Sequence, residues 1–270
     1  WVFGLSSYDF VSEEEILCAH GRGGATRLGR LDLASGGLSD LDLPYRGFEG
    51  IRVEGDRACF IGSASDRPSA VVALDLASDR AAELQVGSSL EFDADCLVSP
   101  EPFEFESASG RRAHAWLYSP VPGDFEVGAG ARPPLLDKSH GGPTAAASPA
   151  LDLRIQFWTS RGFSVVDVDY GGSTGYGRAY RELLRGQWGV VDVEDCVHAA
   201  RALVDEGQAD PRQLAISGGS AGGYTTLCAL TFHDTFRAGA SHYGIGDLEA
   251  LVRDTHKFES RYTDALVGPY

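Results

Sequence analysis

Apolar positions change rhythm near residue 100 of this chain. Up to that point they come in short runs broken by Gly, Asp and Ser, the pattern of strands joined by tight turns. The runs repeat. Leu31-Asp32-Leu33-Ala34-Ser35 recurs as Leu74-Asp75-Leu76-Ala77-Ser78, an offset of 43 residues. In the same register Ile16-Leu17-Cys18 falls on Cys59-Phe60-Ile61, and Leu41 on Leu84. Short strands with a period of about 40–45 residues are the mark of β-propeller blades. Two such units do not close a ring of about 4–8 blades. Residues 1–97 are therefore expected to form the C-terminal part of a propeller, with further blades upstream of Trp1.

From residue 98 the pattern changes, and after residue 134 strands alternate with helices. Phe103-Glu104-Phe105-Glu106 and His114-Ala115-Trp116-Leu117-Tyr118 alternate as the arms of a hairpin, with Ser109-Gly110 near its turn. The stretch 120–134, rich in Gly, Pro and Ala, reads as a loop. Leu135 and Leu136 open a strand that ends at His140-Gly141-Gly142-Pro143, and 163–170 is a second strand. Helices are expected over 151–161, 178–188, 190–206 and 221–231. In 190–206 the apolar set Val193, Cys196, Val197, Ala200, Leu203 and Val204 keeps an amphipathic rhythm that stops at Gly207. Strands at 214–217 and 236–243 complete the pattern. Such β-α alternation implies a mostly parallel sheet.

Between the strand at 214–217 and the helix after it stands Gly218-Gly219-Ser220-Ala221-Gly222, a G-x-S-x-G motif in the setting that motif requires. A nucleophilic serine belongs on a strained strand-to-helix turn, with small neighbours so that nothing strikes the adjacent elements. Here Gly218, Gly219, Ala221, Gly222 and Gly223 are all small. The following helix aims its free N–H groups and positive end at the site. That suits a developing oxyanion, with the Ala221 N–H as first donor. His140-Gly141-Gly142 after an earlier strand offers the second donor: Gly142 is favoured, with Gly141 the alternative. The competing reading, a phosphate-binding glycine turn, fits poorly, because the chain has no G-x-x-x-x-G-K-[ST] and no G-x-G-x-x-G after this strand.

Three segments together resemble the prolyl oligopeptidase family of serine peptidases. They are Ser139-His140-Gly141-Gly142-Pro143-Thr144, then 169–177 (Asp-Tyr-Gly-Gly-Ser-Thr-Gly-Tyr-Gly), then Gly218-Gly219-Ser220-Ala221-Gly222-Gly223. The tail 254–262 is similar to the acylaminoacyl-peptidase and dipeptidyl-aminopeptidase-like branch of actinobacterial type. The resemblance is strong over about residues 100–270 and weaker over 1–97. It implies a β-propeller that caps an α/β-hydrolase domain and admits short peptides or small amides. The chain departs from the family pattern at Gly171 (often Arg), Asp169 (often Asn), Ala221 (often Tyr) and Asp137, where an apolar residue is usual.

An activated serine needs a base, and the base an orienting carboxylate, in the order Ser, Asp, His for this architecture. Fifty residues follow Ser220, and no strand in them is evident that would carry the pair. His233, His242 and His256 are each read as structural or surface groups. Residues 98–270 are thus expected to be the N-terminal portion of a hydrolase domain, truncated before its acid and base, and inactive or nearly so alone.

The remaining composition narrows the partners. A net charge of −16 argues against nucleic acid, and no apolar window reaches the length of a membrane span. Cys18, Cys59, Cys96, Cys196 and Cys228 form no C-x-x-C pair and read as small buried hydrophobes, without a disulfide framework or zinc site. Reduced thiols fit a cytoplasmic protein, although a leader before Trp1 stays open. No cofactor or metal is expected. The expected partner is a short peptide or aminoacyl amide, and a homo-oligomer is compatible with the sequence. The alternatives are a carboxylesterase using the same machinery, and a non-catalytic propeller–hydrolase binding protein.

Overall fold

The computed structural model describes residues 5–89, 94–121 and 130–269. The chain divides into two compact units: Trp1–Ala94 with Ser148–Asp152, and Asp95–Ala147 with Leu153–Tyr270.

The first unit holds two four-stranded antiparallel sheets. One contains β1 (Tyr8–Phe10), β2 (Glu15–Arg22), β3 (Ala25–Asp32) and β4 (Leu38–Asp40). The other contains β5 (Gly47–Glu54), β6 (Arg57–Ser63), β7 (Ala70–Asp75) and β8 (Arg80–Val86). Both are meanders in sequence order, the form of propeller blades. The sequence repeat is a structural one. Asp32 Oδ1 accepts from Ser35 N (2.7 Å) and Ser35 Oγ (2.6 Å) at the β3–β4 turn. Asp75 Oδ1 accepts from Ser78 N (2.8 Å) and Ser78 Oγ (2.7 Å) at the β7–β8 turn. The equivalent positions Leu17 and Phe60 are both buried. The segment Ser148–Asp152 joins this unit, where Leu151 N donates to Ala64 O (2.7 Å).

The cysteine expectation needs correction here. Cys196 and Cys228 are buried, but Cys59 and Cys96 are exposed, and all five are free thiols. Cys59 lies on β6, where buried and exposed positions alternate, and period-two geometry turns it outward.

The second unit is a six-stranded mixed sheet in the order β14-β13-β11-β12-β10-β9. Its strands are β9 (Glu101–Glu106), β10 (Arg112–Tyr118), β11 (Leu135–Ser139), β12 (Ser164–Asp169), β13 (Leu214–Gly219) and β14 (Ala238–His242). The hairpin β9–β10 is antiparallel, and β12, β11, β13 and β14 run parallel. Every residue of β12 is buried, as its Val-rich run requires for a central parallel strand. Among the described residues six α-helices accompany the sheet: α1 (Leu153–Thr159), α2 (Arg178–Arg181), α3 (Val191–Asp205), α4 (Ala221–Phe232), α5 (Leu248–Asp254) and α6 (Tyr262–Leu266). The α3 face formed by Val193, Cys196, Val197, Ala200 and Leu203 is in the core with Leu135, Val166, Val168 and Ile216 of the sheet. Each such side chain contributes roughly 2 kcal/mol of burial. Gly207 (φ +79°) takes the left-handed conformation just past the end of α3.

The expected helix over 178–188 is shorter. It runs as α2 and one 3-10 turn, Glu182–Leu184. Gly186 and Gly189 then adopt φ +66° and +86°, which no α-helix contains. Part of the expected loop at 120–134, residues 122–129, lies outside the described residues.

The chain proceeds from β11 to β12 on one side, then crosses back through α3 to β13 on the other. The strand order thus reverses at β11. In an open α/β sheet the crevice beyond the carboxyl ends of the strands at such a point is where ligands bind. Ser139 ends β11 and pairs with Gly218 near the end of β13, so that crevice lies between the segments after Ser139 and after Gly219.

Candidate active site

Ser220 sits between β13 and α4 with φ 56° and ψ −119°, a conformation non-glycine residues rarely adopt. Two backbone bonds hold it there: Ser220 N donates to His242 O (3.0 Å) and Tyr224 N to Ser220 O (3.1 Å). The residue is exposed, as a nucleophile must be. Ala221 is the first residue of α4, so its N–H has no acceptor within the helix and stands at the positive end of the dipole.

The segment after β11 meets this turn directly. Ser139 Oγ donates to Gly222 O (2.9 Å). A Cβ on Gly222 would press on the Ser139 and His140 carbonyl oxygens, and one on Gly218 on Gly222 itself. Only glycine allows backbones to approach so closely. A Cβ on Gly141 would lie 3.6 Å from Ser220 Cβ. The structure therefore brings Ser220, Ala221, Gly141 and Gly142 to one place.

His140 shapes the loop. Its ring stacks on Tyr170 at 4.2 Å, with Nδ1 2.8 Å from Gly141 O and Nε2 2.7 Å from Ser173 Oγ. Tyr170 Oη donates to His140 O (2.9 Å). Burial pushes the imidazole below its usual value, while the Gly141 carbonyl pulls it back up.

Three further histidines follow Ser220 in the chain. His233 caps the far end of α4, twelve residues of helix away from Ser220. His256 is exposed, 3.8 Å from Glu259. His242 pairs with Gly219 and lends Ser220 its backbone carbonyl. Among the described residues, Ser220 Oγ makes no hydrogen bond to an imidazole or a carboxylate.

Two tyrosines at the site escaped the sequence reading. Tyr243 (φ 42°, 85% exposed) lies against Gly219, where an added Cβ would come within 2.7 Å of its hydroxyl. Tyr262 Oη donates to Gly142 O (2.7 Å). Neither belongs to a catalytic motif, so only the packed structure connects them with Ser220.

The departures from the family pattern have physical surroundings. Asp169 accepts from Ala147 N (2.7 Å) and Tyr176 Oη (2.9 Å), and burial pushes it up to about 7 against those two bonds. Gly171 N donates to Asp195 Oδ2 (2.7 Å), and a Cβ there would collide with Val191 and Leu183. Asp137 is fully buried in β11, and neither of its oxygens has a nitrogen or oxygen partner. Burial holds its carboxyl far above the usual range, with the Cys196 thiol beside it. Among the described residues no cluster of His, Cys, Asp and Glu is arranged to hold a metal.

A serine on a strained turn between a parallel strand and a helix, beside a glycine loop from the neighbouring strand, is the arrangement of an α/β-hydrolase domain. Known proteins narrow the class. Residues 149–269 match the model of the prolyl oligopeptidase family. Dipeptidyl aminopeptidase BIII of Pseudoxanthomonas mexicana is 32% identical over 173 residues, which cover 63% of this chain and 25% of that protein. A solved puromycin-hydrolyzing peptidase of Mycobacterium tuberculosis superposes with a TM-score of 0.92 at 43% identity, over 97% of this chain and 41% of that one. A solved serine-to-alanine variant of puromycin hydrolase, complexed with PGG, gives 0.93 at 41% identity, over 98% and 40%. Over residues 149–269 the chain is similar to the prolyl oligopeptidase family, and its fold is that of propeller blades followed by an α/β-hydrolase domain. It spans about 25% of the length of that aminopeptidase and about 40% of these two structures.

Proposed function

We propose that Ser220 is the nucleophile of a serine peptidase that cleaves peptide or aminoacyl-amide bonds of short substrates. The observation that carries this reading is the exposed Ser220 at φ 56°, set at the start of α4 and against the Gly141–Gly142 loop. Its Oγ attacks the scissile carbonyl. The N–H groups of Ala221 and Gly142, with Gly141 the alternative to Gly142, receive the oxyanion, where one donor is worth about 10²–10³ in rate. An acyl-enzyme forms and water releases it. Peptidase is favoured over carboxylesterase because a propeller admits small substrates and excludes folded proteins, and because the relatives above include a dipeptidyl aminopeptidase, a puromycin-hydrolyzing peptidase and a puromycin hydrolase variant complexed with PGG. No group among the described residues is assigned as the proton acceptor. We accordingly expect the 270-residue chain by itself to turn over little or no substrate.

A fluorophosphonate probe tests the assignment on the natural gene product. Labelling at Ser220 that disappears in Ser220→Ala supports the hydrolase. Absence of labelling supports the alternative, a non-catalytic binding protein. Comparing an aminoacyl arylamide with the matching ester on the same material separates peptidase from esterase.

A further inference from the structure

Gly142 is the least self-determined residue of the candidate oxyanion loop. It has φ +118° and no side chain of its own to hold that angle. A residue has only two soft backbone dihedrals, so fixing the peptide planes on either side of its Cα fixes its conformation. The preceding plane carries Gly141 O and Gly142 N–H, and His140 Nδ1 touches that carbonyl at 2.8 Å. The following plane carries Gly142 O, which takes its hydrogen bond from Tyr262 Oη at 2.7 Å.

Tyr262 lies 120 residues further along the chain and is itself anchored. It opens α6, whose Leu266 is buried in the core of this unit. The carbonyls of Ala265 and Leu266 accept from Gly186 N (3.0 Å) and Trp188 N (3.1 Å). The second partner of the phenol is Thr144 Oγ1, at 2.9 Å. A phenol has one proton. With that proton given to Gly142 O, the Thr144 hydroxyl must be the donor to Tyr262 Oη. The bonds therefore run in one direction, Thr144 to Tyr262 to Gly142, and each polarises the next.

We propose that Tyr262 is a positioning residue for the oxyanion donor, a tether from α6 that clamps the Gly142–Pro143 peptide plane while His140 clamps the plane before it. This rests on the assignment of Ser220 as nucleophile and adds a residue of no catalytic motif to the machinery. Tyr262 does not touch the reacting atoms. Its hydroxyl fixes the Gly142–Pro143 plane, and with His140 holding the plane that carries the Gly142 N–H, the two together set the turn at Gly142.

The test uses Tyr262→Phe in the natural gene product, which removes one oxygen and keeps the ring. Hydrogen exchange of residues 139–145 should quicken relative to wild type. For an aminoacyl arylamide, kcat should fall about tenfold with KM within twofold, because a misaimed donor weakens transition-state binding and spares the ground state. Thr144→Val should cost less, and the double variant no more than Tyr262→Phe alone, since Thr144 acts through the phenol. Unchanged exchange at 139–145, or a loss entirely in KM, overturns the tether. Absence of fluorophosphonate labelling in the wild type brings down the nucleophile assignment, and the tether with it. Labelling in the wild type with equal labelling rates and equal exchange in Tyr262→Phe overturns the tether alone.

Discussion

The blades and the candidate site are built on opposite principles. In the blades, side chains specify local turns: Asp32 with Ser35 and Asp75 with Ser78 close the same bend three residues apart in sequence. At the site, side chains withdraw and main chains meet. Gly218 and Gly222 let the end of β11 touch the start of α4, with Ser139 Oγ bonded to Gly222 O across 83 positions of sequence. Asp79 in the β7–β8 turn also has a positive φ (55°), but in a short turn closed by its own side-chain bonds, whereas Ser220 (φ 56°, ψ −119°) is held by backbone bonds to His242 and Tyr224. Redundant short-range bonds make the first kind tolerant of single changes, and non-local close packing makes the second intolerant.

The contrast is sharpest at Gly222. Gly222→Val drives carbons into the Ser139 and His140 carbonyls, and should cost about 3 kcal/mol of stability and eliminate labelling of Ser220. Urea unfolding and probe labelling read the two effects, and a stable, labelled variant breaks the comparison.

Asp137 lies in the same strand, two residues before Ser139, and its unpaired carboxyl works against the fold. Its folded pKa is raised, so the native state keeps a proton that the unfolded chain releases above about pH 4. Stability should therefore fall as pH rises from about 4 toward neutrality. Asp137→Val should gain about 1–3 kcal/mol near pH 7, with the advantage widening between pH 5 and 8. An advantage constant with pH would mean that the carboxyl is paired or already ionised.

Ser220→Gly removes the backbone strain along with the hydroxyl of the proposed nucleophile. It should stabilise the chain by about 1 kcal/mol while abolishing labelling. Thermal unfolding checks the gain, and a loss would show that the serine side chain supports the fold. The smallest effect belongs to the blades. Asp75→Ala should lower the midpoint of unfolding slightly and leave labelling at its wild-type rate.

Much of this was legible in the sequence, for reasons the same contrast explains. The 43-residue offset could be read because each blade turn is written by its own residues. The strand, Ser220 and α4 could be read because G-x-S-x-G combines a steric demand with a fixed spacing. The shortened helix at 178–184 could not, because Arg, Leu and Glu favour helix and only the packed structure shows Gly186 and Gly189 turning left-handed. Asp137 stood out as an unusual residue in a strand, but its burial beneath α3, with only the Cys196 thiol beside it, appears in the packed structure alone. Tyr243 lay in the expected strand 236–243 and Tyr262 in the tail 254–262, but nothing in either segment tied them to Ser220. One is placed by a strained turn and the other by a contact across 120 residues.

That the proposed donors at Gly142 and Ala221 are amides of the main chain limits what genetics can reveal about them. An alanine scan keeps every peptide nitrogen, so at 141 and 142 it reports crowding, and at 221 it changes nothing. Deleting either donor calls for chemical synthesis: an ester linkage in place of one peptide bond, which removes a single hydrogen and leaves every side chain in place.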